Sequence, residues 1–370
     1  MENLEIMNKE FWLNKKVLIT GHTGFKGSWL LILLKLLGAK VYGLSLDVLP
    51  NPSLFDEINS SNFSCESFFE DINNRDNLKK CISDIMPEIV FHLAAQPLVR
   101  ESYKNPINTW STNLMGSLNL LDSLMKMNKN CSVVMITTDK VYKNKEWIHG
   151  YRENDELGGY DPYSASKAAC EIAISSWRDS FCLGDKEGCN LMIASARSGN
   201  VIGGGDWAKD RIFPDVIRSL QNNQKIIIRN PKSTRPWQHV LDPLAGYLVL
   251  AEKLYKSRKI FKDSSENIYA GPFNFGPAID SNKTVEELVH EINKHWNGLI
   301  SIKGSSQKLH EANKLHLQVD KSFHLLGWKS KWNFENAVKR TVDWYYNFNQ
   351  KSCSAYDLCA RDIDSFINGT

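Results

Sequence analysis

Thr137-Thr138-Asp139-Lys140, read with Tyr163 and Lys167, gathers a hydroxyl, a carboxyl, an amine and a Tyr-x-x-x-Lys pair in a short stretch of chain. Dehydrogenation of an alcohol needs only the hydroxyl, the tyrosine and the second lysine. Asp139 and Lys140 are surplus to it. An acid and a base placed directly after the hydroxyl point to protons moved at neighbouring carbons as well, which is what elimination of water from a sugar requires. Read as residues alone, Asp139-Lys140 also fits a surface ion pair, and Tyr163 with Lys167 also fits a solvated helix face.

These residues need a scaffold, and the pattern around them supplies one. Residues 16–20 (KVLIT) form a short β-branched run that leads into Gly21-His22-Thr23-Gly24-Phe25-Lys26-Gly27. An apolar helical segment, residues 28–37, follows and is closed by Gly38. Strand, glycine turn and helix together suggest a dinucleotide site: glycines admit the pyrophosphate and the helix N-terminus offers it free N–H groups. The spacing is G-x-x-G-x-x-G, not the commoner G-x-G-x-x-G. Residues 40–45 read as a second strand ending near Asp47. An acid there can bind the ribose hydroxyls of NAD and would repel the 2′-phosphate of NADP; a plain loop carboxylate is the alternative. Asp71-Ile72 ends a third strand, where an adenine edge would lie. Residues 89–93 form a fourth, leading into Ala94-Ala95-Gln96, whose small side chains let a cofactor lie close to the backbone. His92 lies inside that apolar strand and reads as a core histidine. Residues 132–136 form the fifth strand, which delivers Thr137 to Lys140.

Alternating strands and helices imply an α/β fold, a Rossmann-type doubly wound parallel sheet with its site at the carboxyl ends of the strands. Residues 193–198 and 271–276 read as later strands of the same sheet, and residues 242–254 as a helix packed on it. The lobes are thus interleaved: residues 1–197 and 238–278 form the NAD-binding domain, and residues 198–237 and 279–350 a smaller mixed α/β lobe for the substrate. Residues 351–370 are a tail without assignment. Segments 284–296 and 334–346 read as amphipathic helices of the smaller lobe. With 370 residues, 42% of them apolar, the chain can bury a large core. Its net charge is +3 with acids and bases interspersed, which argues against nucleic acid as a partner. The longest apolar run, residues 29–37, is interrupted by Lys35 and is too short to span a bilayer. The first residues carry acids and lack a signal-peptide core. The eight cysteines are scattered, with no metal-type spacing, so free thiols, no metal site and a cytoplasmic location are expected.

The glycine turn followed by Tyr163-x-x-x-Lys167 resembles the extended short-chain dehydrogenase/reductase superfamily of nucleotide-sugar enzymes. Four stretches resemble its 4,6-dehydratases, those acting on CDP-glucose in particular: residues 20–29 (TGHTGFKGSW), 137–142 (TTDKVY), 196–207 (ARSGNVIGGGDW) and 235–243 (RPWQHVLDP). The likeness runs from residue 15 to about 345. It implies NAD as a bound, recycled cofactor and a deoxysugar product. By that resemblance Tyr163 takes the proton of the sugar 4-hydroxyl while hydride leaves C4. Phenolate at pH 7 costs roughly 4 kcal/mol, which Lys167, one helical turn on, is expected to reduce. Thr138 is expected to hydrogen-bond the phenol, with Thr137 as the alternative. The 4-ketone acidifies C5–H; Lys140 is the implied C5 base and Asp139 the acid that expels the 6-hydroxyl. Asp139 needs burial to keep it protonated. Neutral Lys140 costs about 4–5 kcal/mol at pH 7, which its surroundings must offset.

For the nucleotide sugar, Asn200 and the Gly203-Gly204-Gly205 turn are expected to present donors, with Arg211 and Arg235 as diphosphate clamps. Trp237, beside Arg235 and His239, packs on sugar or base or fills core, and His239 is expected at the substrate. The superfamily also implies a homodimer through a four-helix bundle built from residues 165–181 and 113–127, with a dimer of dimers left open. Three rival readings stay open: a 4,6-dehydratase of a GDP- or UDP-linked hexose or heptose, a 4-epimerase, which has no use for Asp139-Lys140, and a dehydrogenase that releases NADH.

Overall fold

The structure is a computed structural model describing residues 7–47, 52–59, 65–182, 190–228, 230–258, 260, 267–302 and 314–369. Cys189 lies outside them; the other seven cysteines are free. The expected strands form: β1 (Lys16–Thr20), β2 (Lys40–Ser45), β3 (Glu66–Phe69), β4 (Ile89–His92), β5 (Cys131–Ile136) and β6 (Leu191–Ser198). With Pro272–Phe275 they make one seven-stranded sheet in the order β3-β2-β1-β4-β5-β6-(272–275). Every pairing in it is parallel. Along β1, Val17 and Ile19 enter one apolar core while Leu18 enters another on the opposite face, as a sheet covered by helices on both sides demands. Strand order reverses between β1 and β4, which puts the crevice at their carboxyl ends.

Helix boundaries differ from the sequence expectation where caps decide them. The first long helix is Phe25–Leu36 and begins inside the glycine turn, three residues before the apolar run. The helix carrying Tyr163 and Lys167 is Pro162–Phe181. Pro162 opens it and Asp161 accepts from Ser164 N at 2.9 Å. Tyr163 is therefore held in a capped first turn. The segment expected as one helix from residue 113 begins instead as a π-turn, Ser111–Met115, before Gly116–Met125. Asn113 in that turn accepts from Gln96 N at 2.8 Å and donates to Gln96 O and Ser166 Oγ at 3.1 and 2.9 Å. It locks the β4 exit to the Tyr163 helix.

Three two-stranded sheets shape the rest: Val201–Ile202 with Gln238–His239, Thr234–Pro236 with Asn282–Thr284, and Ile226–Ile228 with Ile300–Ile302. Helix Val285–His295 starts with a capping box between Thr284 and Glu287.

Residues 355–368, within the unassigned tail, form a helix that packs on Phe25–Leu36, on Leu54–Asn59 and on Phe334–Asn349. Its Asp362 is 1% exposed with Arg340 at 3.6 Å. Burial, only partly opposed by Arg340, pushes its carboxyl up to about 7. A raised carboxyl favours folding when protonated, so its contribution is fully present below the unfolded value and is lost as pH rises toward 7. Asp362→Asn is accordingly expected to raise Tm at pH 7.5, with a gain that shrinks toward pH 4; thermal melts across that range check it.

Candidate active site

The glycine turn fits a dinucleotide. Gly21 sits at φ +74°, and a Cβ there would lie 2.8 Å from Ala94 N; one on Gly27 would lie 2.2 Å from Gly21 O. No side chain caps the helix at Gly24, so its first amides are left to an anion. Thr23 shares a hydrogen bond with Ser45 at 2.9 Å, which ties the turn to the β2 exit. Ala94 N donates to Thr20 Oγ1 at 3.3 Å. Asp47 is exposed beyond β2. Asp71 accepts from Asn73 N at 2.8 Å and so closes its own turn, while the Ile72 side chain is buried against Gly116. His92 is a core histidine: it bonds Thr20 Oγ1 at 2.7 Å and Ser117 Oγ at 2.9 Å, and burial, with Lys167 adding to it, lowers it to about 3.

At the end of β5 the two threonines part. Thr137 Oγ1 donates to Glu171 Oε1, so its side chain joins the framework. Thr138 caps the short turn Asp139–Val141, accepting from Lys140 N at 3.4 Å. Its hydroxyl donates to Asp139 Oδ1 at 3.0 Å and favours the phenolate of Tyr163. Thr138 is thus the inward-facing hydroxyl. Asp139 is 1% exposed and its Oδ2 has no hydrogen-bond partner among the described residues. Gly199 makes room for that oxygen, since a Cβ there would stand 2.0 Å from it. Lys140 lies partly exposed beside them.

Burial pushes Tyr163 up to about 12, opposed by Thr138 and by the charge of Arg211. Lys167, also buried, is lowered by desolvation and donates to Ile136 O at 3.3 Å. Arg211, expected on a diphosphate, pairs with Asp206 at 2.9 Å and stands close enough to favour the phenolate. Lys26, expected on the cofactor with the glycine turn, sends its ammonium to Ser198 Oγ at 2.9 Å, and Ser198 bonds Tyr247. Desolvation and the charges of Arg211 and Lys167 lower Lys26 to about 7 against the opposing pull of Asp139. Phenol, carboxyl and three cations therefore converge at the carboxyl ends of β1, β5 and β6.

Other expected substrate residues are not gathered there. His239 is fully buried between Trp29 and Trp332, with ring centroids 5.7 and 4.7 Å away, and burial, with Arg340 adding to it, lowers it to about 3. Trp237 is buried and donates to Lys283 O at 3.0 Å. Both fill core, which is the alternative held open for Trp237; His239, expected at the substrate, is instead packed between two indoles. Arg235 donates to Thr234 O at 2.7 Å, and Asn200 is partly exposed next to Gly199.

Sequence reasoning missed Glu171 and Arg197. They form an ion pair at 2.7 Å with both side chains 3% exposed. Glu171 also accepts from Ser195 Oγ at 2.8 Å, and Arg197 donates to Tyr142 Oη and Glu153 O at 2.8 and 2.9 Å. Two signals were available: a carboxylate four residues after Lys167 on the same helix face, and a lone charge inside the otherwise uncharged run 191–198.

The profile of the GDP-mannose 4,6-dehydratase family matches residues 18–341. The chain belongs to that family. Among its relatives, a CDP-glucose 4,6-dehydratase of Salmonella typhimurium is 47% identical over 342 residues, covering 92% of this chain and 93% of its own. The fold extends to more distant structures. An epimerase of Methanothermobacter thermautotrophicus superposes with a TM-score of 0.76 at 21% identity, covering 94% of this chain and 98% of its own. A dTDP-glucose 4,6-dehydratase of Bacillus anthracis in complex with NAD gives 0.72 at 19% identity, covering 90% and 97%. The dehydratase family and the surplus acid and base after Thr138 agree with each other.

Proposed function

We propose that this chain is an NAD-dependent CDP-glucose 4,6-dehydratase that makes CDP-4-keto-6-deoxyglucose. The observation that carries the reading is the buried turn in which Thr138 donates to Asp139 and favours the Tyr163 phenolate, with Lys140 beside it. CDP-glucose as the substrate rests on the 47% identical relative.

NAD, when bound, supplies the redox chemistry, taking hydride from C4 and returning it to C6. Gly21, Thr23, Gly24, Phe25 and Gly27 would hold its pyrophosphate, Asp47 its adenosine ribose, Asp71 and Ile72 its adenine side, and Ala94, Ala95 and Gln96 its flank. Lys26 and Lys167 would meet its nicotinamide end. Tyr163 accepts the 4-hydroxyl proton, helped by Arg211 and Thr138. Lys140 removes the C5 proton and later restores it. Asp139 protonates the departing 6-hydroxyl. Asn200 and Arg235 face the nucleotide diphosphate in this reading, at the mouth of the smaller lobe.

A homodimer through a four-helix bundle belongs to the same proposal. It is supported by the exposed apolar side chains Ile107 and Met115 near one helix and Ile172 and Phe181 on the other. A cytoplasmic location is part of it; among the described residues no helix is long and apolar enough to cross a membrane.

The test is incubation with CDP-glucose and catalytic NAD in deuterated water, followed by mass spectrometry and NMR. Loss of water with deuterium at C5 and no net NADH is the expected result. Water lost only from a GDP- or UDP-linked sugar would move the substrate. An epimerised sugar without mass loss would overturn the roles of Asp139 and Lys140.

A further inference from the structure

A nucleotide sugar brings a diphosphate, and the site as described is short of a cation to meet it; the inference rests on the dehydratase reading. Arg211, expected to clamp that group, is held instead by Asp206 at 2.9 Å, which leaves Arg235 as the arginine assigned there. A further guanidinium stands nearer the reacting groups. Arg100 belongs to the helix Val99–Lys104, which follows the β4 exit and packs on the helix that carries Tyr163. Its Nη1 donates to Oδ1 of Asp210 at 2.9 Å, across 110 residues of chain. Asp210 lies in the segment that follows β6, directly before Arg211. In the sheet, β4 and β6 flank β5, the strand that delivers Thr138, Asp139 and Lys140. The ion pair therefore arches from one neighbour of β5 to the other, across its carboxyl end.

Both feet of the arch are anchored, while its middle is open to water. On one side Leu98 N donates to Gln96 Oε1 at 2.6 Å, and Gln96 Nε2 to Thr109 Oγ1 at 2.9 Å. On the other, Arg218 donates to the carbonyls of Trp207 and Ala208 at 3.2 and 3.3 Å. The Arg100 and Asp210 side chains are 31% and 45% exposed, so their attraction is weak and is readily exchanged for another anion. We propose that Arg100 is a diphosphate-binding residue of the substrate site, held by Asp210 in the free enzyme and handed to the nucleotide sugar when it binds. A guanidinium suits the exchange, because its planar fork takes two phosphate oxygens at once. Asp210, once released, stays in contact with water and keeps its hydration. It thus competes with the substrate for one cation, and the latched fraction lowers the apparent affinity.

The experiment measures CDP and CDP-glucose binding to NAD-loaded enzyme by calorimetry, together with KM and kcat for CDP-glucose and Tm. Arg100→Met is expected to weaken both ligands on the order of 10–100-fold, the range for a lost hydrogen bond to a charged group. The loss should fall on KM more than on kcat, as for a contact made equally in ground and transition states. Arg100→Lys should recover part of it. Asp210→Asn should act in the opposite direction and tighten both ligands about two- to tenfold. Asparagine suits that position, because residue 210 sits at φ +63°, where Asn and Asp are both tolerated. A latch that merely braces the fold would weaken binding and lower Tm in both variants alike, and that result would overturn the proposal. Unchanged CDP binding in Arg100→Met would overturn it too. If water is lost only from a GDP- or UDP-linked sugar, the same comparison is made with that nucleoside diphosphate. Wild-type enzyme that dehydrates no nucleotide sugar would instead overturn the dehydratase reading beneath it.

Discussion

Tyr163→Phe should keep its fold and its affinity for nucleotide sugar while its kcat falls by about 1000-fold, within the 10²–10⁴ that a positioned proton acceptor contributes. The phenol oxygen is the group whose ionisation Thr138 and Arg211 favour, and the ring itself stays packed in the first turn of a capped helix. KM from initial rates and Tm from thermal melts separate lost chemistry from lost structure. A fall in Tm matching the fall in rate would count against the role. The pH dependence follows from burial, which sets the phenol near 12 in the free chain with Arg211 already lowering it. Phenolate is the reactive form, so kcat/KM should climb with pH. Arg211→Met removes a cation that favours phenolate; its ascending limb should therefore move to higher pH. An unmoved limb would mean that Arg211 acts on substrate alone.

Arg197→Met is expected to produce the largest loss of stability, about 3–5 kcal/mol, because it strands a buried carboxylate. In the native protein, burial pushes Glu171 up, but Arg197, Thr137 and Ser195 more than offset it and hold the carboxyl below its usual value. A lowered carboxyl stabilises the fold above the unfolded value, about 4.3, and loses that contribution as pH falls through the folded value. Without Arg197 burial raises the Glu171 carboxyl, so the cost should be greatest at neutral pH and should shrink as pH falls toward 4, where Glu171 takes a proton. Urea unfolding at pH 7.5 and pH 4 measures this. Adding Glu171→Gln to Arg197→Met should recover part of the loss, as expected for partners in one network. Additive losses would show that the pair does not act as a unit.

The sheet was legible because its strands are short β-branched runs punctuated by glycine or acid, and β2 spans the expected residues 40–45. Tyr163, Thr138 and Asp139 were legible because a strand end, a capped turn and a four-residue helical spacing each act locally. What escaped was long-range. Nothing near Lys26 in sequence announces that its ammonium reaches Ser198, 172 residues away. Arg211 reads as a diphosphate ligand because a planar guanidinium suits bidentate oxygen contacts, and nothing near it in sequence points toward the Tyr163 phenol. His239 and Trp237 look like recognition residues in a polar motif, yet the tertiary core claims both, since aromatic area is stabilising wherever it can be buried. The π-turn at Ser111–Met115 also depends on a distant partner, the Gln96 backbone that Asn113 must satisfy.

The parting of Thr137 and Thr138 bears on how this scaffold can be rewritten. Thr137 is bolted into the Glu171–Arg197 girder, whereas Thr138, Asp139 and Lys140 hang from it on a three-residue turn that carries little of the girder's load. Under the proposed mechanism, exchanging Asp139 and Lys140 should change which bonds are broken, with strand, helix and cofactor turn expected to stay in register. An evolutionary or engineered passage between dehydration and epimerisation thus needs no redesign of the fold, only a new vocabulary at two positions. Thr137 is where such tinkering should stop.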